Sequence, residues 1–203
     1  MSVHALVIDT GSRRIIVDTC IGNEKERDIP SWNNLQTTFL SDLENAGYAR
    51  TDIDTVLCTH LHVDHVGWNT QLIDGRWVPT FPNARYVCAR TEYDFWAQLA
   101  QESDDKHGSF ADSVLPVMEA GKMDLVDDGW ELAQGLELQT AAGHSPGHMC
   151  VHARHGRGAL FAGDAIHSPV QLARPELSSA FCSDPDQARA TRMQLLESIA
   201  DSD

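Results

Sequence analysis

The densest run of groups able to bind a cation is His60-Leu61-His62-Val63-Asp64-His65. In extended backbone, residues i and i+2 project on the same face, so His60 and His62 can offer two imidazoles to one cation without strain. Asp64 and His65 follow where the chain can turn, and can aim a carboxylate and a third imidazole at a second cation a few ångströms away. Burying such a set without partners would be costly, which favours a metal. The cluster contains no thiolate. Imidazole and carboxylate are the donors of sites that keep water bound, so the chemistry indicated is catalytic rather than structural. Zinc is the expected metal, with other divalent ions able to take its place. Two further ligands are indicated downstream: His144 in Gly143-His144-Ser145-Pro146-Gly147-His148, and Asp164 in Phe161-Ala162-Gly163-Asp164, each in a turn at a strand end.

These residues need elements to hold them. Val3 to Ile8 and Arg14 to Val17 are short β-branched runs around Thr10-Gly11-Ser12, which reads as a hairpin. From Asn34 to Ala46 the apolar residues Leu35, Phe39, Leu40, Leu43 and Ala46 recur at helical spacing, with Gly47 as the stop. Thr55 to Thr59 reads as a buried strand that delivers the histidine cluster at its carboxyl end, where open α/β sheets place their ligands. Strands are expected at Arg76–Pro79, Arg85–Cys88, Met123–Val126, Leu136–Ala141, Met149–Ala153 and Ala159–Phe161. Helices are expected at Glu92–Ala100 and Phe110–Ala120. Asp184-Pro185-Asp186-Gln187 opens a final helix, with Asp184 as cap, Pro185 at its first position and Gln187 able to close a capping box.

The 203 residues with 42% hydrophobic content can bury a substantial core, and no repeat or composition break marks a linker, so residues 1–203 read as a single α/β domain. A net charge of -15 excludes a basic surface for phosphate backbones, so no nucleic acid partner is expected. The five cysteines are odd in number, widely separated and never in a C-x-x-C pair, which argues against a disulfide framework and for a reducing cytoplasm. No stretch approaches the ~20 apolar residues of a membrane span, so no membrane partner is expected either. A homodimer is compatible with the sequence.

At the quoted motifs the chain resembles the metallo-β-lactamase fold superfamily, whose members carry an H-x-H-x-D-H segment, a later G-H-[ST]-x-G-H segment and a G-D aspartate in this order. The resemblance implies an αββα four-layer sandwich. It implies that His60, His62 and His144 bind the first of two Zn2+ ions and Asp64 and His65 the second, with Asp164 bridging both. Asp18, in Val17-Asp18-Thr19, matches a supporting position beneath the metal loop. Gly67-Trp68-Asn69, Pro79-Thr80-Phe81-Pro82-Asn83-Ala84 and His167-Ser168-Pro169-Val170-Gln171 look most like the branch of acyl-homoserine lactonases and methyl-parathion-hydrolase-like enzymes. β-Lactamases and glyoxalase-type thioesterases usually continue the first motif with paired glycines, where this chain has Trp68, expected to wall the pocket. The superfamily also has opening strands, and a last histidine after the final helix, that have no match here. The domain is therefore expected to be partial at both ends.

The function expected is hydrolysis of a small neutral ester or lactone, or a phosphotriester, by water activated between two Zn2+ ions. Asp64 would orient the nucleophile as well as ligate, and His167 is a catalytic candidate facing the leaving group. The alternatives are a glyoxalase-type thioester hydrolase, and a metal-binding protein without turnover for want of the last histidine. The partner expected is a small-molecule substrate. His148 reads equally as an assistant to the site and as a structural hydrogen-bonding group. His4, His107, His152 and His155 read as surface residues, and Asp104-Asp105 and Asp127-Asp128 as solvated loop charges. Trp77, Phe81 and Trp96 read as core or as pocket lining, and the cysteines as small buried groups.

Overall fold

A computed structural model of the chain describes residues 3–102, 108–154 and 158–200. The readings for His107, His155 and Asp104-Asp105 lie outside the described residues. The chain divides into two compact units: Met1–Cys88 with Asp94–Leu125, and Ala89–Tyr93 with Val126–Asp203.

The first unit is built on a sheet ordered β1-β2-β3-β6-β7. Strands β1 (Leu6–Asp9) and β2 (Arg14–Val17) form the antiparallel hairpin expected, closed by Gly11 at φ 81° and by a Gly11 N–H donated to the Asp9 carboxylate. Strand β3 (Thr55–Leu57) runs parallel to β2 and to β6 (Arg85–Ala89). Ile15, Ile16, Val56, Leu57, Tyr86 and Cys88 are all fully buried, so both faces of these strands are covered. That is why they read as continuous apolar runs rather than alternating ones.

Helix α1 spans only Phe39–Asn45, a correction to the helix expected from Asn34. Periodicity continues upstream, but Asn34 N–H donates to the Lys25 carbonyl, Glu24 N–H donates to Leu35, and the Asn23 side chain takes both Thr37 N–H and Thr37 hydroxyl. Those bonds tie residues 34–37 to the 23–25 loop, with Asn34 left-handed at φ 50°, and keep them out of the helix. The stop is as expected: Gly47, at φ 93°, donates to Glu44 while Tyr48 donates to Leu43, the paired bonds that close a helix. Strand β4 (Thr70–Ile73) pairs with β5 (Arg76–Pro79). The Asp74-Gly75 turn that joins them, with both φ positive, is a hairpin signal the sequence reading passed over.

Helix α2 spans Arg90–Gln101. The helix expected over Phe110–Ala120 is two pieces, a wide π-type turn Phe110–Val114 and helix α3 (Leu115–Glu119), before β7 (Met123–Val126). Pro116 explains the break, because it has no N–H for the carbonyl of Asp112 four residues back. Thr70 Oγ1 donates to that carbonyl instead, at 2.5 Å.

The second unit carries the sheet β11-β10-β9-β8. Strands β8 (Glu131–Ala133), β9 (Leu136–Thr140), β10 (Met149–Ala153) and β11 (Ala159–Phe161) form an antiparallel meander. His152, expected at the surface, is half-buried in β10. A short helix α4 (Val170–Ala173) precedes α5 (Pro185–Ile199). Asp184 caps α5 by accepting from the N–H groups of Asp186 and Gln187. The capping box expected of Gln187 is replaced, since Asp184 N–H donates to the carbonyl of Gly143. Ala188, Arg192 and Leu195 form the buried stripe of α5, and Leu195 packs with Ala141, Cys150 and Ala165.

Candidate metal centre

In the first unit, the turn after β2 and the loop after β3 are joined along their length. Asp18 N–H donates to Leu57, Thr19 N–H to His65, Gly67 N–H to Cys20 and Trp68 N–H to Thr19. A Cβ on Gly67 would lie 1.9 Å from the carbonyl of Ile21, so only glycine permits this approach. Asp18 sits at φ 57°, a left-handed conformation that aspartate tolerates better than most residues.

From that position the Asp18 carboxylate accepts three groups: Thr59 N–H at 2.8 Å, the Thr59 hydroxyl, and Nδ1 of His65 at 2.8 Å. A carboxylate accepts only, so His65 carries its proton on Nδ1 and presents Nε2 as a lone pair. Thr59 Oγ1 lies 3.1 Å from Nδ1 of His60; its own proton goes to Asp18, so Nδ1–H of His60 donates to it. Nε2 of His60 is thereby also set as an acceptor. It stands 3.0 Å from Nδ1 of His62. His60 and His65 rings are 4.1 Å apart, and Nε2 of His65 is 3.8 Å from the Asp64 carboxylate. The four ligand candidates of the first motif are thus gathered in one place, with Asp18 beneath them.

The second unit gathers the other candidates. Gly143, at φ 127°, lets the turn press onto the start of α5, where a Cβ would lie 2.2 Å from the backbone nitrogen of Ala188. Gly147 does the same against Glu92, whose buried carboxylate accepts Gly147 N–H at 2.8 Å. His144, between them, is buried, and its Nε2 lies 3.5 Å from Asp164 Oδ2. His148 accepts Asp164 N–H on Nε2 at 3.0 Å, so it sets the backbone of the aspartate, which is the structural one of its two readings. His167 Nε2 lies 3.4 Å from the same Asp164 oxygen, and one donor atom from each of His144, Asp164 and His167 falls within 4.8 Å of the others.

These spacings fit a metal. With Zn–N of about 2.0–2.1 Å, two donors on a tetrahedron stand about 3.3 Å apart. The His60–His62, His144–Asp164 and His167–Asp164 separations of 3.0, 3.5 and 3.4 Å all lie close to that edge. Two histidines also have their second nitrogen engaged in the way that fixes ligand tautomers.

Residues the sequence reading did not single out are Thr59, which links His60 to Asp18, and Gln171 and Arg192, which hold the loop of His167. Thr59 directly precedes the motif and Gln171 closes the His167–Gln171 segment, so both were within reach; nothing local marks Arg192. Trp96, in α2, meets the His62 ring edge-on at 5.3 Å. Trp68, expected to wall the pocket, is instead buried and stacked on Phe39 at 5.4 Å. Phe81 is core, and Trp77 carries Lys25 Nζ 3.6 Å above its ring. None of the five cysteines forms a disulfide. Burial, with the Asp18 and Asp64 charges, pushes the Cys20 thiol up to about 12, so it is no nucleophile near neutral pH.

The chain belongs to the metallo-beta-lactamase superfamily, whose sequence model matches residues 1–202. An N-acyl homoserine lactonase of Bacillus thuringiensis is 26% identical over 161 residues, covering 73% of this chain and 57% of the relative. The chain therefore spans a little over half the length of that relative. Among solved structures, the hydrolase AbOPH of the beta lactamase superfamily superposes with a TM-score of 0.76 at 29% identity, over 96% of this chain and 67% of its own. AidC, a dizinc quorum-quenching lactonase, superposes at 0.74 with 23% identity, over 99% and 69%, which shows the fold.

Proposed function

We propose that this chain is a metal-dependent hydrolase of small, neutral esters or lactones, with phosphotriesters as a related class, and that it uses two zinc ions. In this reading His60, His62 and His144 hold one ion, Asp64 and His65 the other, and Asp164 both. The observation that carries it is that His60 with His62, and His144 with Asp164, stand at metal-like spacing, while His60 and His65 have Nδ1 engaged in the way that leaves Nε2 as the acceptor. The likeness to N-acyl homoserine lactonases supports the lactone class.

Zinc, when bound, lowers the pKa of water to about 7 and polarises the oxygen of a carbonyl or phosphoryl group. The protein supplies the rest. Asp18 fixes the proton of His65 on Nδ1 and, through Thr59, that of His60, so neither imidazole must reorganise to bind. Asp64 orients the attacking group. Trp96 gives the His62 side an apolar edge suited to an uncharged acyl chain.

The test combines metal analysis of the purified 203-residue chain with turnover of a lactone, an aryl ester, a phosphotriester and a glutathione thioester. About two zinc equivalents, and lactone or ester turnover lost on chelation and regained with zinc, are expected. Metal binding with no turnover of any member would sink the hydrolase reading, and preference for the thioester would move the substrate class.

A further inference from the structure

Three successive backbone carbonyls of the turn that carries His144 are taken by one helix and the short stretch that opens it. Thr191, in α5, donates its hydroxyl to the carbonyl of Ala142 at 2.7 Å. Asp184 N–H donates to the carbonyl of Gly143 and Ser183 N–H to that of His144, both at 2.9 Å. Asp184 is also the cap of α5, so the backbone that starts the helix is the backbone that holds the ligand turn. The close approach of Gly143 to Ala188 completes the contact.

Directly before these bonds stands Cys182. It is half-buried, its N–H is given to the Ser179 carbonyl, and its Sγ lies 3.9 Å from Nδ1 of His144. Nε2 of the same ring is turned to Asp164 Oδ2, at 3.5 Å, and is the nitrogen that faces the ion in the two-zinc reading. A ligating imidazole is neutral and carries its proton on the nitrogen away from the metal. For His144 that nitrogen is Nδ1, and the sulfur of Cys182 stands beside it. At His65 and His60 oxygen acceptors take the corresponding proton. Sulfur is a weaker acceptor than oxygen, but acts in the same sense. The Asp164 carboxylate, an acceptor only, pulls the other way, because it favours a proton on Nε2, where the cation needs a lone pair.

We propose that Cys182 is a positioning residue of the metal centre: its sulfur accepts Nδ1–H of His144 and so keeps Nε2 as the free donor, with the cap of α5 holding sulfur and ring in register. This rests on the two-zinc reading, in which His144 shares its ion with His60 and His62, and it adds no ligand to that set.

The test is metal affinity in the full chain, not rate. In chelator competition, Cys182→Ala is expected to weaken one of the two zinc equivalents by about tenfold, and Cys182→Ser, which keeps an acceptor, to recover most of the loss. In the zinc-loaded chain with isotopically labelled histidines, the Nδ1–H proton of His144 is expected to exchange with solvent several-fold faster in Cys182→Ala than in the wild type. A role confined to backbone packing would not move that proton. Unchanged zinc affinity in Cys182→Ala overturns the proposal and leaves the two-zinc reading standing, whereas a wild-type chain that binds no metal overturns both. A sulfur-to-metal charge-transfer band in the cobalt-loaded wild type would make Cys182 a ligand and likewise overturns the positioning role. Circular dichroism establishes that each variant is folded. Should Cys182→Ala fail to fold, Cys182→Thr and Cys182→Val, alike in shape and different in the acceptor, are compared, and equal affinity of those two overturns the proposal.

Discussion

Single side chains at this centre act by deciding where protons sit. Asp18 is 47 positions from His65, yet its carboxylate determines which nitrogen of that ring carries the proton. Asp18→Asn keeps a side chain tolerant of the left-handed backbone but removes the charge, and should weaken zinc affinity about tenfold. Asp18→Ala loses all three hydrogen bonds and adds about 1 kcal/mol of backbone strain at φ 57°, and should weaken it toward a hundredfold. Chelator competition measures both; affinity unchanged in Asp18→Ala would show that the proton positions do not depend on it. Asp18 was legible because it sits at the end of an apolar strand, in Val17-Asp18-Thr19, and matches a family position. Thr59 and its relay were not, since a threonine beside a histidine has no pattern of its own.

Among elements, the break at Pro116 has the widest consequence. The wide turn it creates presents Asp112 to two buried cations: Arg27 binds the carboxylate through both Nη atoms, and Lys25 Nζ approaches it at 3.3 Å, over the Trp77 ring. Burial is the main cause that lowers Lys25 to about 8, with Arg27 adding to it and Asp112 opposing. Below pH 8 both folded and unfolded chains carry the proton, and the cost of burying the charge is fully present. Between pH 8 and 10.5 the unfolded chain alone stays protonated, so stability rises with pH across that window. Relative to Lys25→Met, the wild-type chain should gain on the order of 2 kcal/mol between pH 7.5 and 9.5 in urea unfolding. A constant difference between the two proteins would show that Lys25 does not titrate there. Apolar periodicity predicted one helix over this stretch because it registers which residues are buried, not which carbonyl lacks a donor.

For the whole molecule, a charge of -15 repels anions, so the proposed hydrolase is expected to disfavour anionic substrates. Salt screens such repulsion, with a Debye length of ≈ 10 Å at 0.1 M. Raising salt from 0.02 to 0.5 M, as test conditions of roughly one and a half decades, should leave kcat/KM for a neutral lactone within about twofold and raise it several-fold for a glutathione thioester. A salt response equal for the two substrates would remove the electrostatic argument for a neutral one. Among the described residues no helix is long and apolar enough to cross a membrane.

By itself the amino-acid order determined the candidate donors and the local elements that carry them: the histidine motif at the end of β3, the Gly143–His148 turn, the Gly-Asp step after β11, the Gly47 stop and the Asp184 cap. Each is a short-range pattern, because strand alternation, helix period and turn chemistry act within a few residues. Tertiary structure decided the rest. It delayed α1 by tying residues 34–37 to the 23–25 loop, sent Trp68 into the core, and placed Trp96 against His62. It also clamped His167 with Gln171 and Arg192. Apart from the Gln171 contact, those outcomes depend on partners well separated along the chain whose approach is set by packing, and no local spacing records which distant group will arrive.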